Sequence, residues 1–350
     1  VRVAIIGGGL AGLTCAYELV DAGVDVTVFE AGDRFGGQVR TTMDRGFVVE
    51  EGADGFDPMS TGLRTLIRDL RLADDVLVPE PLPTLLLERV NGSRALHLAS
   101  QLPEAAAPPA TLRGGMFSLV RRMLRRLEGR ADLRVGNAAV AISGAAGRWD
   151  VYPEIGPALQ ADALVLALPP RSAAWLVHSV CAPAARALST LAARPLITVS
   201  LAYHRVAVVH PLDAAGFVVP RERSEGGLEV CSFVTSNLAG RAPADTVMVR
   251  AVLRPARGEL VATTDDGWAY GAHTALQPIL GLGEAPLSTW VARWTDAVPL
   301  VDDRYRMLVK EAAGALRAAG LIELAGAAYG EPGLAGALHT GVAAARRLSA

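Results

Sequence analysis

Cysteine is scarce in this chain of 350 residues. Cys15, Cys181 and Cys231 are far apart and odd in number. That excludes a disulfide-stapled scaffold and favours a reducing, cytoplasmic setting. Lysine is scarcer still: Lys310 is the only one, so all but one of the 34 basic residues are arginine. The formal net charge is only -2. There is neither a basic field for nucleic acid nor an acidic tail. Long apolar runs are also missing. ALVLALPP (163–170), among the strongest, is too short to cross a bilayer. His97, His178, His204, His210, His273 and His339 show no metal-ligand spacing. No Ser-His-Asp pattern or nucleophile elbow stands out. No targeting segment precedes the first predicted strand, so the fold is expected to begin at Val1.

What is abundant is apolar residue, at 51%. That allows a large core and predicts more than one domain. VRVAII (1–6) is a β-branched run suited to a buried parallel strand. Gly7, Gly9 and Gly12 follow at G-x-G-x-x-G spacing. LAGLTCAYELVDAG (10–23) then reads as a helix ending near Gly23, and VDVTVFE (24–30) as a second buried strand closing on Glu30. The unit is βαβ. Gly7 permits the tight turn, Gly9 lets a pyrophosphate approach, and Gly12 lets the helix pack closely. Leu10 and Ala11 open the helix, whose free N–H groups would face the phosphates. Glu30 can accept hydrogen bonds from the adenosine ribose and would repel a 2′-phosphate, which argues against NADP. These residues predict a dinucleotide; between FAD and NAD they do not choose.

The next stretch is AGDRFGGQVRTTMDRGFVVEEGADGF (31–56). Glu30, Arg34, Gly36, Gly37 and Thr41 resemble the E-x-x-x-R-x-G-G-x-x-x-T signature of the superfamily of flavin-containing amine oxidases, protoporphyrinogen oxidases and phytoene desaturases. The resemblance implies FAD. It places Gly36, Gly37 and Gln38 near the pyrophosphate, with Arg34 adding charge. It places Gly52, Ala53, Asp54 and Gly55 in the loop beside the isoalloxazine ring. LRVGNAAVAI (133–142) reads as one strand, in which the resemblance has Val140 covering the adenine. ADALVLALPP (161–170) resembles the family strand that ends beside the cofactor, near Ala167. GLIELAGAAYGEPGLAGALHTGVAAARRL (320–348) reads as strand, glycine turn and helix. It resembles the closing motif, with Gly326, Gly333, Leu334 and Ala335 at the flavin.

The fold class expected is α/β: a Rossmann-type FAD-binding domain plus a second α+β domain with a mixed β-sheet. The first would be discontinuous, from 1–74, 111–172 and 318–350; the substrate-binding domain would take 75–110 and 173–317. In the first, LRGGMFSLVRRMLRRL (112–127) reads as a helix with Met116, Leu119, Val120, Met123, Leu124 and Leu127 on one stripe. Arg121, Arg122, Arg125 and Arg126 lie opposite. A core-facing helix with a solvated arginine face is the favoured reading; peripheral membrane contact is the alternative. In the second, TLLLERVNGSRALHL reads as a hairpin turning at Asn91-Gly92. PLITVSLAYHR, GFVVP, LEVCSFV and TVMVRAVL read as further strands.

Details of this second domain resemble protoporphyrinogen oxidases. They are the hairpin followed by QLP, the segment GFVVPRERSE with Glu222 or Glu225 as its acid, and RWTDAVP with Arg293, Trp294 and Pro299. Trp294 is a candidate wall of the flavin site. The departures are LVDDRY after Pro299, Arg254-Pro255 for a glycine pair, and Gly52-Ala53 for Gly-Pro. The family's helical insert of roughly a hundred residues is also largely missing; only SQLPEAAAPPATLR stands there.

The resemblance implies an FAD-dependent oxidoreductase that moves hydride from an apolar or porphyrinogen-like small molecule to flavin N5. Oxygen or another acceptor would reoxidise the flavin. No catalytic residue, metal or oligomeric state is assigned. The amine oxidase branch often places a lysine near the flavin; ITVSLAY has none. A phytoene desaturase-like enzyme, a FAD-binding protein without turnover and an NAD-linked dehydrogenase are the other readings. The second glycine loop counts against the last.

Overall fold

Arg2–Ile6 is the centre of a five-stranded, all-parallel sheet. Its order is Ile322–Leu324, Ala163–Leu166, Arg2–Ile6, Asp25–Glu30, Asp132–Val135. A strand covered on both faces cannot alternate polar and apolar residues, and Val3, Ala4 and Ile5 are all fully buried. A computed structural model describes residues 1–90, 93–98, 109–145, 147–220, 224, 226–256 and 258–349, without the side chains of 89, 90, 93 and 94. Asn91-Gly92, QLP, Glu222 and Glu225 lie outside the described residues.

One face of the sheet is covered by helices Leu10–Asp21, Phe117–Leu127 and Gly333–Leu348, which share a core. In the middle helix Leu119, Val120, Met123 and Leu127 are buried, as is its N-cap Met116, and Leu124 is partly so. The stripe therefore faces the core, and the arginines face out.

The other face carries an antiparallel ribbon, Ala139–Ala145, Arg148–Pro153 and Leu159–Ala161. It also carries helices Pro170–Val177, Ala182–Thr190 and Asp303–Gly320. Two expectations are corrected here. LRVGNAAVAI is two strands in different sheets, Asp132–Val135 and Ala139–Ala145. Gly136 breaks it with φ at +65°, a left-handed turn that ends an extended run. Most of 170–191 and 303–320 falls in the segments expected for the substrate domain, and both stretches form helices. By packing they belong to the parallel sheet: Ala173, Val177, Leu188, Ala312 and Leu316 bury against Ala4, Ile6, Leu164 and Leu166.

The second sheet has seven strands. Their order is Ser288–Pro299, Ala193–His204, Thr246–Leu253, Leu228–Phe233, Gly216–Val218, Thr84–Val90, Ser93–Leu98. Only Gly216–Val218 with Thr84–Val90 is parallel, so the sheet is mixed, as expected. Val199, Leu201, Val249, Ala251 and Phe217 pack with helix Asp265–Leu280 in one core. The opposite face is more polar. Trp290, Ser200, Arg250, Ser232, Gly216 and Thr84 are successive cross-strand partners. Directly opposed residues point to the same side of a sheet, so they form one transverse row.

Candidate active site

The βαβ turn is built so that only glycine fits. Gly7 has φ +110°, and a Cβ there would run into the Ala167 carbonyl. A Cβ on Gly12 would run into the Gly7 carbonyl oxygen. Leu10 and Ala11 are buried at the start of the helix. Gly9, its N-cap residue, is different: the nearest atom to a Cβ there is the Gly37 Cα at 3.8 Å. The two glycine motifs meet at this point. Gly36 N donates to Gly8 O at 2.8 Å, and Gly9 and Gly36 form a parallel bridge. A Cβ on Gly37 would lie 3.1 Å from the Gly9 Cα. Bare backbone on both sides of a helix N-terminus is the cradle a pyrophosphate needs.

Glu30 closes its strand beside this cradle. Its carboxylate accepts from Gly8 N at 2.8 Å and Gly32 N at 2.7 Å. Both oxygens are thereby oriented, with lone pairs left for ribose hydroxyls. Asn137 N donates to the Glu30 carbonyl, which brings the segment leading to Val140 alongside. Val140 itself is 40% exposed and free to be covered. Ala167 N donates to Ile6 O, and Ala325 N to Leu166 O. Gly326 N donates to Thr340 Oγ1 at 2.9 Å. Gly333 opens the last helix with φ +87°, and Leu334 and Ala335 pack against the first core. That helix comes backbone-close to Leu10–Asp21: a Cβ on Gly341 would collide with the Ala11 carbonyl.

Arg34 does something the sequence did not suggest. Its guanidinium turns back and donates to the carbonyls of Phe35, Gly37 and Val39, at 3.2, 3.1 and 3.4 Å. It is a brace for the glycine loop. Burial, and then repulsion from Arg40, pulls its pKa down. Gln38 O accepts from Ala53 N at 2.9 Å, and its side chain donates to Asp296 O at 3.3 Å. A Cβ on Gly52 would strike Gln38 O, and one on Gly55 would lie 2.7 Å from Ala110 O. Trp294 donates its indole N–H to Glu51 O at 2.9 Å. Its ring lies 3.0 Å from where a Gly52 Cβ would be. Gln38, Gly52, Ala53 and Trp294 are therefore one cluster.

Sequence reading missed Arg250, Arg241 and Glu50. Arg250 rises from the transverse row and donates to Asp54 Oδ2 at 2.7 Å and Gly52 O at 2.6 Å. Arg241, 1% exposed, donates to Glu50 Oε1 at 3.3 Å, Thr111 Oγ1 at 3.0 Å and Leu112 O at 2.9 Å. Glu50 also accepts from Thr41 Oγ1 at 2.6 Å and Met116 N at 2.8 Å. Burial pushes the Glu50 carboxyl up and the Arg241 guanidinium down. Between them lies a cavity of about 280 Å³. Thr84, Gly216, Ser232, Ser200 and Arg250 line it from the sheet, Asp54 and Glu50 from the loop side, and Phe217, Leu238 and Met248 add apolar wall. Among the described residues no group of His, Cys, Asp and Glu could hold a metal ion.

The family profile described as flavin containing amine oxidoreductase matches residues 10–112 and 86–349. The chain belongs to this family. It is an FAD-dependent oxidoreductase, and the glycine cradle and Glu30 suit that cofactor. A coproporphyrinogen III oxidase of Propionibacterium freudenreichii is 23% identical, over 85% of this chain and 81% of that protein. The alignment runs over 433 positions, more than this chain's whole length. A protoporphyrinogen oxidase of Arabidopsis thaliana is 40% identical over 78 residues, only 22% of this chain and 15% of that one. Among solved structures, a protein assigned as a protoporphyrinogen oxidase from Exiguobacterium sp. 255-15 superposes with TM-score 0.88 at 20% identity, over 99% and 98% of the two chains. Cyclohexylamine oxidase of Brevibacterium oxydans superposes at 0.76 with 14% identity, over 100% and 98%. These likenesses are of fold. No helix among the described residues is long and apolar enough to cross a membrane.

Proposed function

We propose that the protein is a protoporphyrinogen oxidase-like flavoenzyme whose small-molecule substrate, apolar or porphyrinogen-like, sits in the cavity above Arg250. The observation that carries this reading is the double contact of Arg250 with Gly52 and Asp54. It joins the floor of the cavity to the loop that resembles the family's isoalloxazine loop. The likeness to coproporphyrinogen and protoporphyrinogen oxidases supports the substrate class. Three free, buried cysteines suit a cytoplasmic setting.

In this reading segments 1–74, 111–172 and 318–350, with the helices packed on them, hold FAD; the seven-stranded sheet holds the substrate. Gly7, Gly9, Leu10, Ala11 and Gly12 take the pyrophosphate with Gly36 and Gly37, and Glu30 takes the ribose. Gly52 to Gly55, Trp294, Ala167, Gly326, Gly333, Leu334 and Ala335 surround the ring end. Bound FAD supplies the hydride acceptor, and oxygen or another acceptor regenerates it. The chain orients the substrate on the Ser200–Arg250–Ser232 row and keeps water out with the apolar wall.

The test is the absorbance spectrum of purified protein, followed anaerobically with coproporphyrinogen, protoporphyrinogen and simple amines in turn. Yellow protein bleached by a porphyrinogen is expected. Bleaching by an amine alone would move it to the amine oxidase branch. Yellow protein that none of these reduces would make it a FAD-binding protein without this turnover.

A further inference from the structure

Six arginines share one face of the molecule. Helix Phe117–Leu127 turns Arg121, Arg122, Arg125 and Arg126 away from the core, and neighbouring turns add Arg71 and Arg113. They line two adjoining concavities, of about 340 and 280 Å³, which share Arg122 and Arg125. Among the described residues none of the six is ion-paired with a carboxylate. Elsewhere in the chain pairing is common: Arg2 with Asp25, Arg40 with Glu51, Arg130 with Asp21, Arg293 with Asp265.

The cluster is not a loose fringe. Arg121 donates to Ser118 Oγ at 3.1 Å, and that hydroxyl donates to Gly114 O. Arg126 donates to Asp69 O at 3.2 Å. Arg122 is half-buried. Arg121 with Arg125, and Arg122 with Arg126, are like charges four residues apart on one helix, which destabilises it. Among the described residues, Asp75 is the only carboxylate lining either concavity. A face that concentrates cations against helix stability, and leaves them unpaired, suits an anion that arrives from outside.

Guanidinium is the group that matches phosphate, offering two parallel N–H donors per arginine. We propose that the two concavities form one binding site for a phosphate-bearing anion, either free or presented as a lipid headgroup. The site is separate from the reaction but mechanically close to it. Strand Thr111–Leu112 pairs with Val76–Leu77. Asp75 and Arg113 at one end of this ribbon line the arginine site, and Pro79 and Pro109 at the other line the active-site cavity.

Two probes separate the sources. Inorganic pyrophosphate is titrated into the flavin-loaded full chain by calorimetry. Vesicles of phosphatidylcholine, with and without phosphatidylglycerol, are co-floated with it. Saturable pyrophosphate binding assigns a free anion, and flotation only with phosphatidylglycerol assigns a headgroup. Either should weaken about tenfold or more in Arg122→Gln/Arg125→Gln, since each substitution removes charge-assisted bonds. Arg122→Lys/Arg125→Lys, which keeps charge but not the planar fork, should fall between. If the glutamine pair does not fold, Arg113→Gln/Arg121→Gln tests the same site from its exposed side. Binding of neither probe, or binding undiminished by the substitutions, overturns the proposal.

Discussion

The Arg250 guanidinium stands 2.7 Å from the Asp54 carboxylate, across 196 residues of sequence. The same guanidinium reaches the Gly52 carbonyl at 2.6 Å. Arg250 is buried, whereas the Asp54 side chain is 49% exposed. The buried cation therefore depends on the loop more than the loop carboxylate depends on it. Replacing it with methionine keeps an unbranched stem, shorter by two atoms, and removes both bonds. Bonds to a charged group contribute roughly 1.5–3 kcal/mol each. Arg250→Met is expected to weaken FAD binding about tenfold or more, measured by flavin fluorescence on reconstitution of the apoprotein. Lysine, one point charge on a flexible stem, cannot serve both acceptors and should restore only part. An Arg250→Met variant that holds FAD as tightly as the parent would show that the sheet does not fix this loop.

Gly12 tests the other end of the site. An alanine methyl there meets backbone, the Gly7 carbonyl oxygen, as well as the Ala167 Cβ at 3.2 Å. Backbone cannot rotate aside as a side chain can. The helix must shift from the strand, and the Gly9 cradle shifts with it. Gly12→Ala is expected to purify colourless or nearly so, with the far-ultraviolet circular dichroism of the parent. Gly314→Ala, where a Cβ meets nothing within 4 Å, is the control and should stay yellow.

The parts legible in sequence are those whose rules are local. Gly7, Gly9 and Gly12 with Glu30 sit in one βαβ unit, and the structure folds them together. The break at Gly136 was not legible, because AVAI continues the β pattern of LRV on its far side. Segments 182–190 and 303–317 fall in the remainder expected for the substrate domain; the helices Ala182–Thr190 and Asp303–Gly320 that they form instead bury their apolar faces on the parallel sheet. Arg250 does leave a signal in the sequence. TVMVRAVL is a buried strand with one charge in it, and a buried charge requires a partner. Nothing local names that partner, since Asp54 lies in another sheet's loop.

Trp149 carries a stability prediction. It is 1% exposed between the antiparallel ribbon and the helices behind it. Its indole N–H donates to Gly320 O at 2.8 Å, where helix Asp303–Gly320 ends. Trp149→Phe loses that bond, strands a carbonyl and leaves space. A cost of roughly 1–3 kcal/mol is expected, read from the urea midpoint. No change in midpoint would mean that water replaces the indole without loss.

His210 sets a pH dependence. Its ring Nδ1 accepts from Leu212 N at 2.9 Å, so the ring must be neutral there. The ring lies 5.4 Å from the Phe233 ring. Burial holds its pKa below the usual 6.5, and Arg205 lowers it further against an opposing pull from Asp213. Well above pH 6.5 the ring is neutral both folded and unfolded, and its contribution is complete. As pH falls below that value the unfolded chain takes up a proton that the folded ring resists. Stability then drops until the pH passes the lower, folded pKa. His210→Asn keeps an acceptor for the amide two residues on, as an Asx turn, and removes the titration. Urea midpoints measured from about pH 8 down to about pH 5 should fall more steeply for the parent than for His210→Asn. His273, whose pKa is also lowered by burial, titrates in both proteins and cancels in the comparison. Parallel profiles would mean that His210 is protonated as easily in the fold as outside it.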